Sequence, residues 1–522
     1  MARSLPSLKV SLTLLGSAAV LIIAVICYEI IWGDADIYVP MFAVNCSECH
    51  GNDLKGTALG PALVSRYLAG GDNIAALMHS IRNQPAHQTI SDSLSDNEVK
   101  GLAIYVGEKR LGQTFTEFRY ADPIKLPSGT VTSNVHNFAV EVFADELNTL
   151  PYAIAPLPDG RWLLTERENG LRLINASGEP AGLVQGMPAT GGTTFTYRGL
   201  AAGVGWLLDV APHPRYVQNG WVYLHYTELC ETGCTGASRI FPASMNKLIR
   251  GRIRDGEWAD AETLWQAPPR FYSTFTDTAA GGRLAFDDSG HVYISVGFKE
   301  PLGLGAQDLY SPYGKIHRIN DDGSVPPDNP FVINAGNDPD PPFFHQTIWT
   351  YGHRTPQGLE WNPVRQTVWN AEMGPRGGDE INELLPGRNY GWPYHSLGLE
   401  YTGTQVARNR LKDVEFDVEQ VEQTLVDFTP SPALSSFTFY RGDAFPGWHD
   451  NLLLGTLKGS SLYRLEFDGN QLIQREVVIN DLGRIRDIEI GVDGLPYLLI
   501  ENEAGSMIVR LRPEESPAPG SS

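Results

Sequence analysis

The sequence predicts a multi-domain protein with an N-terminal transmembrane helix, a small all-α domain and an all-β propeller of six blades. Three observations support this order. An almost continuous apolar run covers residues 10–28, a stretch with helical periodicity follows it, and β-rich runs separated by tight turns recur through the rest of the 522 residues. We place the transmembrane helix at 10–32, the helical domain at 38–112, a linker at 113–136, the propeller at 137–513 and a disordered tail at 514–522.

The N-terminal apolar run is long enough to cross a bilayer as a helix. Arg3 and Lys9 precede it and Asp34 and Asp36 follow it, which keeps the N-terminus in the cytoplasm by the positive-inside rule. We therefore predict a single-pass anchor in a bacterial inner membrane, with the later domains in the periplasm. A cleaved signal peptide is the alternative, but the run is longer than a typical signal core and no Ala-x-Ala site closes it.

The run Cys46-Ser47-Glu48-Cys49-His50 has the spacing that covalent c-type haem attachment requires. Cys46 and Cys49 would each bond a haem vinyl group, and His50 would become the proximal iron ligand. A thioredoxin-like pair or a zinc half-site would need a βαβ unit or a second suitable cysteine pair, and the sequence offers neither. Electron transfer through haem c is therefore the first function that the sequence predicts.

Residues 38–112 read as helices around a Gly60-Pro61 turn, and Ser95-Asp96-Asn97-Glu98 opens the last helix as a capping box. This stretch resembles a class I cytochrome c domain. The resemblance implies a distal methionine ligand a little before the last helix, but that position, seven residues before Leu94, holds His87.

We predict that His50 and His87 are the two axial ligands of the haem iron. Met78 is the alternative distal ligand, although it falls with Ile74 and Leu77 on a helical face that is typical of core packing. Since imidazole in place of a thioether generally lowers the potential of a haem, the choice affects function.

The start of the propeller illustrates its predicted pattern. Three β-rich runs, Ala153–Leu157, Trp162–Thr165 and Leu171–Ile174, are separated by Asp159-Gly160 and Asn169-Gly170, which favour type I′ hairpins. Similar units follow without helical periodicity between them. Units of about sixty residues divide the remaining roughly 380 residues into six blades.

Composition restricts the partners and the compartment. The formal net charge of −21 argues against nucleic-acid binding, which needs a basic surface. Cys230 and Cys234 bracket Glu-Thr-Gly, and we expect them to close a small disulfide loop in an oxidising compartment. Free thiols are the alternative.

Four motifs in order carry a second resemblance. They are Gly281–Phe286, Gly352–Leu359, Gly374–Asn382 and Asn389–Pro393, and they are similar to motifs of the glucose/sorbosone dehydrogenase family. Members of that family are quinoprotein aldose dehydrogenases on a six-bladed propeller. The resemblance implies pyrroloquinoline quinone (PQQ), calcium and a sugar-like substrate.

Four cations match those that hold the tricarboxylate quinone in this family: Arg354, Lys458, Arg484 and Arg486. Arginine can bind a carboxylate through two parallel hydrogen bonds, and lysine contributes a mobile point charge. Arg484 and Arg486 are two residues apart on a predicted strand, so both side chains face one side. The alternative is that these residues are ordinary surface cations.

The same resemblance implies calcium sites. Gly374 and Pro375 match the two residues whose backbone carbonyls place calcium against the quinone, and Asp379, Glu380 and Tyr390 match residues that help to bind a structural calcium. The alternative is that these carboxylates pair with Arg376 or cap turns.

Three catalytic positions differ from the family. Relatives carry a histidine that removes the substrate hydroxyl proton where this chain has Ala279, a glutamine where it has Val204 and an aspartate where it has Phe298. Because alanine cannot accept a proton, another base is needed, and Asp277 is the nearest candidate in sequence. A turn aspartate in solvent at the propeller rim is the alternative reading of Asp277, and His353 is a second candidate base.

The sequence therefore predicts a membrane-anchored quinohaemoprotein that oxidises a sugar or polyol-type alcohol with PQQ and passes the electrons to its own haem. A membrane quinone or a periplasmic cytochrome would accept them next. The rival prediction is a propeller that has lost its proton acceptor and serves as a binding module beside an electron-transfer haem.

Overall fold

The computed structural model describes residues 36–68, 71, 73–112, 118–191, 194–197, 200–234, 237, 242–333, 342–406 and 414–514. The predicted transmembrane helix at 10–32 and residues 515–522 of the predicted tail lie outside this set. Among the described residues, no helix is long and apolar enough to cross a membrane.

The chain divides into two compact units. The first unit comprises residues 1–116 together with 399–405, and the second comprises residues 117–398 and 406–522. The first unit is helical, with α1 (Tyr38–Asn45), α2 (Ser47–His50), α3 (Ile74–Asn83), α4 (Gln88–Ser91) and α5 (Asp96–Arg110). A 3-10 turn at Pro85–His87 precedes α4.

The packing of α1 against α5 organises the first unit. A Cβ atom at Gly101 of α5 would lie 1.8 Å from Cζ of Tyr38 on α1, so the two helices can cross here only because residue 101 is a glycine. The capping box predicted at Ser95 is present, and it fixes the start of α5. Leu399 is buried in the same core, and the Tyr38 hydroxyl donates a hydrogen bond to the Gly403 carbonyl at 2.6 Å.

The second unit is a six-bladed propeller, as predicted. Five of its sheets have four antiparallel strands in chain order from the innermost strand outward. The first blade comprises β3 (Pro151–Pro156), β4 (Trp162–Glu166), β5 (Gly170–Ile174) and β6 (Pro180–Leu183). The second blade comprises β9 (Leu207–Pro212), β10 (Val222–Leu229), β11 (Ser244–Arg254) and β12 (Glu257–Gln266).

The next three blades follow the same rule. They comprise β13 (Gly281–Phe286), β14 (Val292–Val296), β15 (Lys315–Ile319) and β16 (Ile348–Tyr351), then β17 (Pro356–Asn362), β18 (Thr367–Glu372), β19 (Asp379–Leu384) and β20 (Val426–Phe428), then β21 (Leu434–Phe439), β22 (Leu452–Thr456), β23 (Leu462–Asp468) and β24 (Gln471–Ile479).

The sixth blade closes the ring with strands from both ends of the unit. Its order from the inside is β25 (Arg484–Ile490), β26 (Pro496–Glu501), β27 (Ser506–Glu514), β2 (Asn137–Leu147) and β1 (Val131–Thr132). A separate hairpin, β7 (Phe195–Tyr197) and β8 (Leu200–Ala202), and short helices α6 (Tyr216–Asn219), α7 (Pro330–Ile333) and α8 (Phe343–Gln346) lie in the connections.

The innermost strands determine where the candidate functional site lies. Each of the six contacts the innermost strands of the two neighbouring blades, so together they surround a central channel. In all six blades the pairing of the innermost strand with the next strand shifts register once, which marks a bulge or irregularity. All six shifts fall within the first few residues of the innermost strand, and the candidate site lies at that end.

Candidate functional site

Three arginines surround one glutamate at the start of the channel. Arg484 and Arg486 project from β25 and Glu501 ends β26. Arg484 Nε lies 2.7 Å from Glu501 Oε1, and Arg486 Nε and Nη2 lie 2.8 Å from the two carboxylate oxygens. Arg167, which follows β4 of another blade, places its Nη2 2.9 Å from Glu501 Oε2.

This cluster carries two uncompensated positive charges in a buried place. The relative exposures are 4% for Arg167, 3% for Arg484, 5% for Arg486 and 2% for Glu501. Burial alone would raise the pKa of Glu501, but Arg486, Arg484 and Arg167 hold it well below its ordinary value. Burial and the charge of Arg486 lower the pKa of the Arg167 guanidinium to about 10. The electrostatics therefore favour an anionic ligand.

The arginines line a cavity of about 20 Å³, together with Tyr120, Tyr152 and Trp206. A volume of this size accommodates about one water molecule, whereas pockets for organic cofactors are roughly 300 Å³ or larger. A ligand with several rings therefore needs one wall of the cavity to move.

One wall is a segment that the sequence predicted to be linker, Phe118–Lys125, here called the strap. Arg484 donates a hydrogen bond to the Phe118 carbonyl. The Tyr120 hydroxyl donates to the Thr149 carbonyl at 2.6 Å, and the Asn502 amide donates to the Asp122 carbonyl at 2.6 Å. The strap therefore closes the cavity and uses one of the predicted cofactor arginines to do so.

Asp277, the candidate base, is also at this cavity, but its carboxylate is fully engaged. Oδ1 accepts a hydrogen bond from Ser244 Oγ at 2.7 Å and forms an ion pair with Lys299. Oδ2 accepts from the Gly205 amide at 2.6 Å and from Thr227 Oγ1 at 2.5 Å. Both side chains of the ion pair are fully buried, so Asp277 is not in solvent at the rim, and the contacts give it a structural role.

The positions of the family's catalytic histidine and aspartate are apolar. Ala279 and Phe298 belong to one buried cluster with Trp392, and Phe275 packs against it. Val204 is buried as well. His353 donates or accepts at both ring nitrogens, with Glu372 at 2.9 Å and Thr350 at 2.9 Å. Neither these positions nor His353 offers a free proton acceptor.

Arg354 and Lys458 are not among the residues that line the small cavity. Arg354 lies over the Phe298 and Trp392 rings, at 5.3 and 5.2 Å from their centres. Its Nη1 contacts the carbonyls of Met373 at 3.1 Å and Gly374 at 3.2 Å. Lys458 is buried and lowers the pKa of Asp379, although burial, the larger effect, raises that pKa to about 6.

Most of the residues predicted for the two calcium sites contact other protein groups. The Gly374 carbonyl faces a guanidinium, and Pro375 is buried beside it. Asp379 accepts from the Gly374 amide at 2.9 Å and the Leu434 amide at 3.0 Å, and Glu380 contacts Asn382 at 3.3 Å.

Tyr390 donates to the Glu383 carbonyl at 2.5 Å. No group of three or more acidic, His or Cys side chains in the described part of the chain could hold a metal ion. The calcium sites, which include the backbone carbonyls of Gly374 and Pro375, stay a prediction.

In the first unit, His50 and His87 face each other. Their ring centres are 6.0 Å apart, and the ring planes are inclined at 66° to each other. The Nδ1 atom of His50 lies 2.8 Å from the Pro61 carbonyl, and that of His87 lies 3.0 Å from the Ser80 carbonyl. Each contact assigns the proton to Nδ1 and leaves Nε2 as an acceptor.

The other residues of the predicted haem site lie close by. Cys46 packs against the core of the first unit and Cys49 is exposed, and neither forms a disulfide. Met78 packs against the same core as Ile74 and Ile81. In the second unit, Cys230 and Cys234 form a disulfide.

Three residues that line the cavity were not predicted from the sequence: Arg167, Glu501 and Tyr120. A buried counter-ion for Arg484 and Arg486 could be expected in the paired strand, because two adjacent cations in a strand core need a carboxylate. Arg167 and Tyr120 reach the cavity only in the folded propeller, and no local sequence pattern marks either residue.

Residues 148–510 match the family described as glucose/sorbosone dehydrogenase. The aldose sugar dehydrogenase YliI of Escherichia coli is 33% identical over 373 residues, which cover 71% of this chain and 91% of that protein. The crystal structure of the soluble aldose sugar dehydrogenase of E. coli in the apo-form has a TM-score of 0.61 at 32% identity, and the match covers 72% of this chain and 100% of that one. Quinoprotein glucose dehydrogenase B of Acinetobacter calcoaceticus is 24% identical over 468 residues, 76% of this chain and 92% of that protein.

Proposed function

The chain belongs to the glucose/sorbosone dehydrogenase family, and on this basis we propose that it is a PQQ-dependent dehydrogenase of a sugar or polyol-type alcohol with an attached haem c as its first electron acceptor. The observation that carries the proposal is the cluster of Arg167, Arg484 and Arg486 around Glu501. Three buried guanidinium groups and one carboxylate leave a site that lacks about two negative charges.

The residues fit a polycarboxylate cofactor. Arg484 and Arg486 would each bind a carboxylate, and the buried setting strengthens these charge-assisted hydrogen bonds. The aromatic residues Tyr152 and Trp206 provide apolar walls for a flat ring system. PQQ, when bound, supplies an ortho-quinone that accepts two electrons from an alcohol.

Proton removal distinguishes this chain from its family. Asp277 and Glu501, the two carboxylates at the cavity, are both held in ion pairs. A positioned general base contributes about 10²- to 10⁴-fold to a rate, so we expect turnover to be slower than in relatives that carry the histidine by a factor in this range.

The first unit fits a haem c. Cys46 and Cys49 precede His50 with the required spacing, and the Nδ1 atoms of His50 and His87 are both occupied by backbone carbonyls, which leaves the two Nε2 atoms for a metal. Metal–nitrogen bonds of about 2.0 Å on either side of an iron would separate two imidazole centres by roughly 6 Å. The observed 6.0 Å therefore supports His87 as the distal ligand. The apolar segment at 10–32 would anchor the chain in the inner membrane, where a membrane quinone or a periplasmic cytochrome would take the electrons.

The test uses the purified full chain with its haem. PQQ is added with and without calcium, binding is followed through tryptophan fluorescence, and haem reduction is followed on a panel of aldoses and polyols. We expect saturable binding that Arg484→Gln weakens and that Arg388→Gln, at an exposed ion pair, leaves unchanged. Absence of binding to the wild-type chain would remove the enzymatic assignment.

A second function has an observation in its favour. Ala279, at the position of the proton-accepting histidine of relatives, lies in an apolar cluster with Phe298 and Trp392, so the propeller could bind a ligand without oxidising it. In the experiment above, binding of a sugar without haem reduction at any PQQ concentration would support this binding module.

A further inference from the structure

We propose that Arg167 is a third anion-binding residue of the cofactor site and that it holds a carboxylate of the bound quinone. The inference rests on the proposed function. It extends the site beyond Arg484 and Arg486 to a residue on a different blade. Arg167 is not one of the four cofactor-binding cations that the sequence predicted.

The backbone of Arg167 is fixed at the channel entrance. Its amide donates to the Leu150 carbonyl at 2.8 Å, and its carbonyl accepts from the Leu207 amide at 2.9 Å. These two contacts hold residue 167 between the starts of β3 and β9. The side chain extends into the cavity, where its Nη2 lies 2.9 Å from Glu501 Oε2.

The side chain has spare hydrogen-bonding capacity in a place without solvent. Its guanidinium lies over Trp206 and Tyr152, 5.0 and 5.7 Å from the ring centres. Its Nε is buried and has no partner within the described residues. Buried donors are nearly always paired, so a donor of this kind at a cavity wall points to an absent acceptor.

The charge of Arg167 is not needed to balance Glu501. Oε1 of Glu501 already accepts from Arg484 Nε at 2.7 Å and from Arg486 Nη2 at 2.8 Å, and Oε2 accepts from Arg486 Nε at 2.8 Å. A third cation repels the other two while the cavity lacks an anion. Arg167 therefore lowers the folding stability of the chain when the site is empty, and it increases the affinity of the site for an anionic ligand.

A structural role and a ligand-binding role for Arg167 predict opposite changes in the stability of the PQQ-free chain. The variant Arg167→Met distinguishes the two roles. Methionine keeps the apolar length of the side chain over the two rings and removes the charge. For the PQQ-free chain we expect an unchanged or higher urea midpoint of unfolding. For PQQ we expect a dissociation constant about 10- to 100-fold higher, the loss of one charged hydrogen bond.

Arg172→Met is the matched control. Arg172 pairs with buried Glu166, next to Arg167 in the chain, with Nε and Oε1 2.5 Å apart. Its removal leaves an unpaired buried carboxylate, so the midpoint should fall while the affinity for PQQ stays the same. Arg167→Lys should recover part of the affinity, because it restores the charge without the planar donor pair.

The outcomes are distinguishable. A lower midpoint and unchanged affinity for Arg167→Met would show that Arg167 is structural and would overturn this inference alone. If the wild-type chain binds no PQQ, both the inference and the proposed function fail.

Discussion

The ion pair between Asp277 and Lys299 shows how burial decides the role of a single carboxylate. Burial lowers the pKa of the Lys299 ammonium below its ordinary value, and Asp277 acts in the opposite direction. Removing one partner of such a pair leaves the other charge in a medium that cannot solvate it.

We therefore expect Asp277→Asn to destabilise the propeller by about 3–5 kcal/mol in chemical denaturation. Asp277→Asn combined with Lys299→Met removes both charges and should lose less. An aspartate that only serves as a base would show normal stability and no turnover, so full stability of Asp277→Asn would contradict the structural role.

His87 offers a second test at the residue scale. If His87 is the distal ligand, the ferric wild-type chain lacks the near-infrared sulfur-to-iron charge-transfer band, and His87→Met introduces it and raises the potential. Met78→Leu serves as the control and should leave the spectrum unchanged. Loss of an existing band in Met78→Leu would instead identify Met78 as the ligand.

Single residues were predictable from the sequence where a local pattern carries the information. The alternation of Arg484 and Arg486 on β25 could be read directly, since side chains two apart share a face of a strand. The surroundings of Asp277 could not, because Lys299, Thr227 and Ser244 belong to other strands and loops. The calcium ligands inferred by resemblance also depend on such non-local contacts, and they stay a prediction.

At the scale of elements, the strap is the main departure from expectation. Its polar composition predicted a linker, but it pairs with the connection that leads into the sixth blade. Lys125 pairs with Asp481 at 2.6 Å, and Arg119 pairs with the same carboxylate. Composition describes the average solvation of a segment and cannot show which backbone groups it will meet.

We expect Tyr120→Ala to speed the association of PQQ, because the Tyr120 ring closes a cavity that holds about one water. Stopped-flow tryptophan fluorescence with the full chain measures the rate. Tyr67→Ala, whose side chain is largely exposed, is the control. Equal association rates in Tyr120→Ala and the wild-type chain would show that the strap does not limit entry.

At the scale of the whole molecule, the six innermost strands bring acidic groups into one channel. Glu360 on β17 lies near Asp209 and Asp487. Burial and these two negative charges raise the pKa of Glu360 to about 8, and Arg283 lowers it only in part. The folded chain therefore holds a proton on Glu360 at a pH where the unfolded chain does not.

Proton linkage determines whether stability rises or falls with pH. A group whose pKa is higher in the folded state contributes full stability below its unfolded pKa and loses it as pH rises through the folded value. Glu360→Gln should therefore match the wild-type chain near pH 4 and be more stable above pH 8, by several kcal/mol. Urea unfolding at the two pH values measures this, with Glu179→Gln at an exposed turn as control. A constant difference across pH would contradict the assignment.

The propeller itself was predictable because each blade repeats one local pattern of strands and tight turns. Its closure required β2 to pair with β27, a contact between residues far apart in the chain. The division into units also escaped prediction at one place. Residues 399–405 follow the family motifs in sequence, yet they belong to the helical unit.

That placement has a consequence for the order in which the protein matures. Leu399 completes the core of α1 and α5, and the ribosome adds it roughly 290 residues after Gly112. At about 5–20 residues per second, the nascent helices wait tens of seconds for their final core side chain. The unit that is synthesised first is therefore finished only after most of the propeller has emerged.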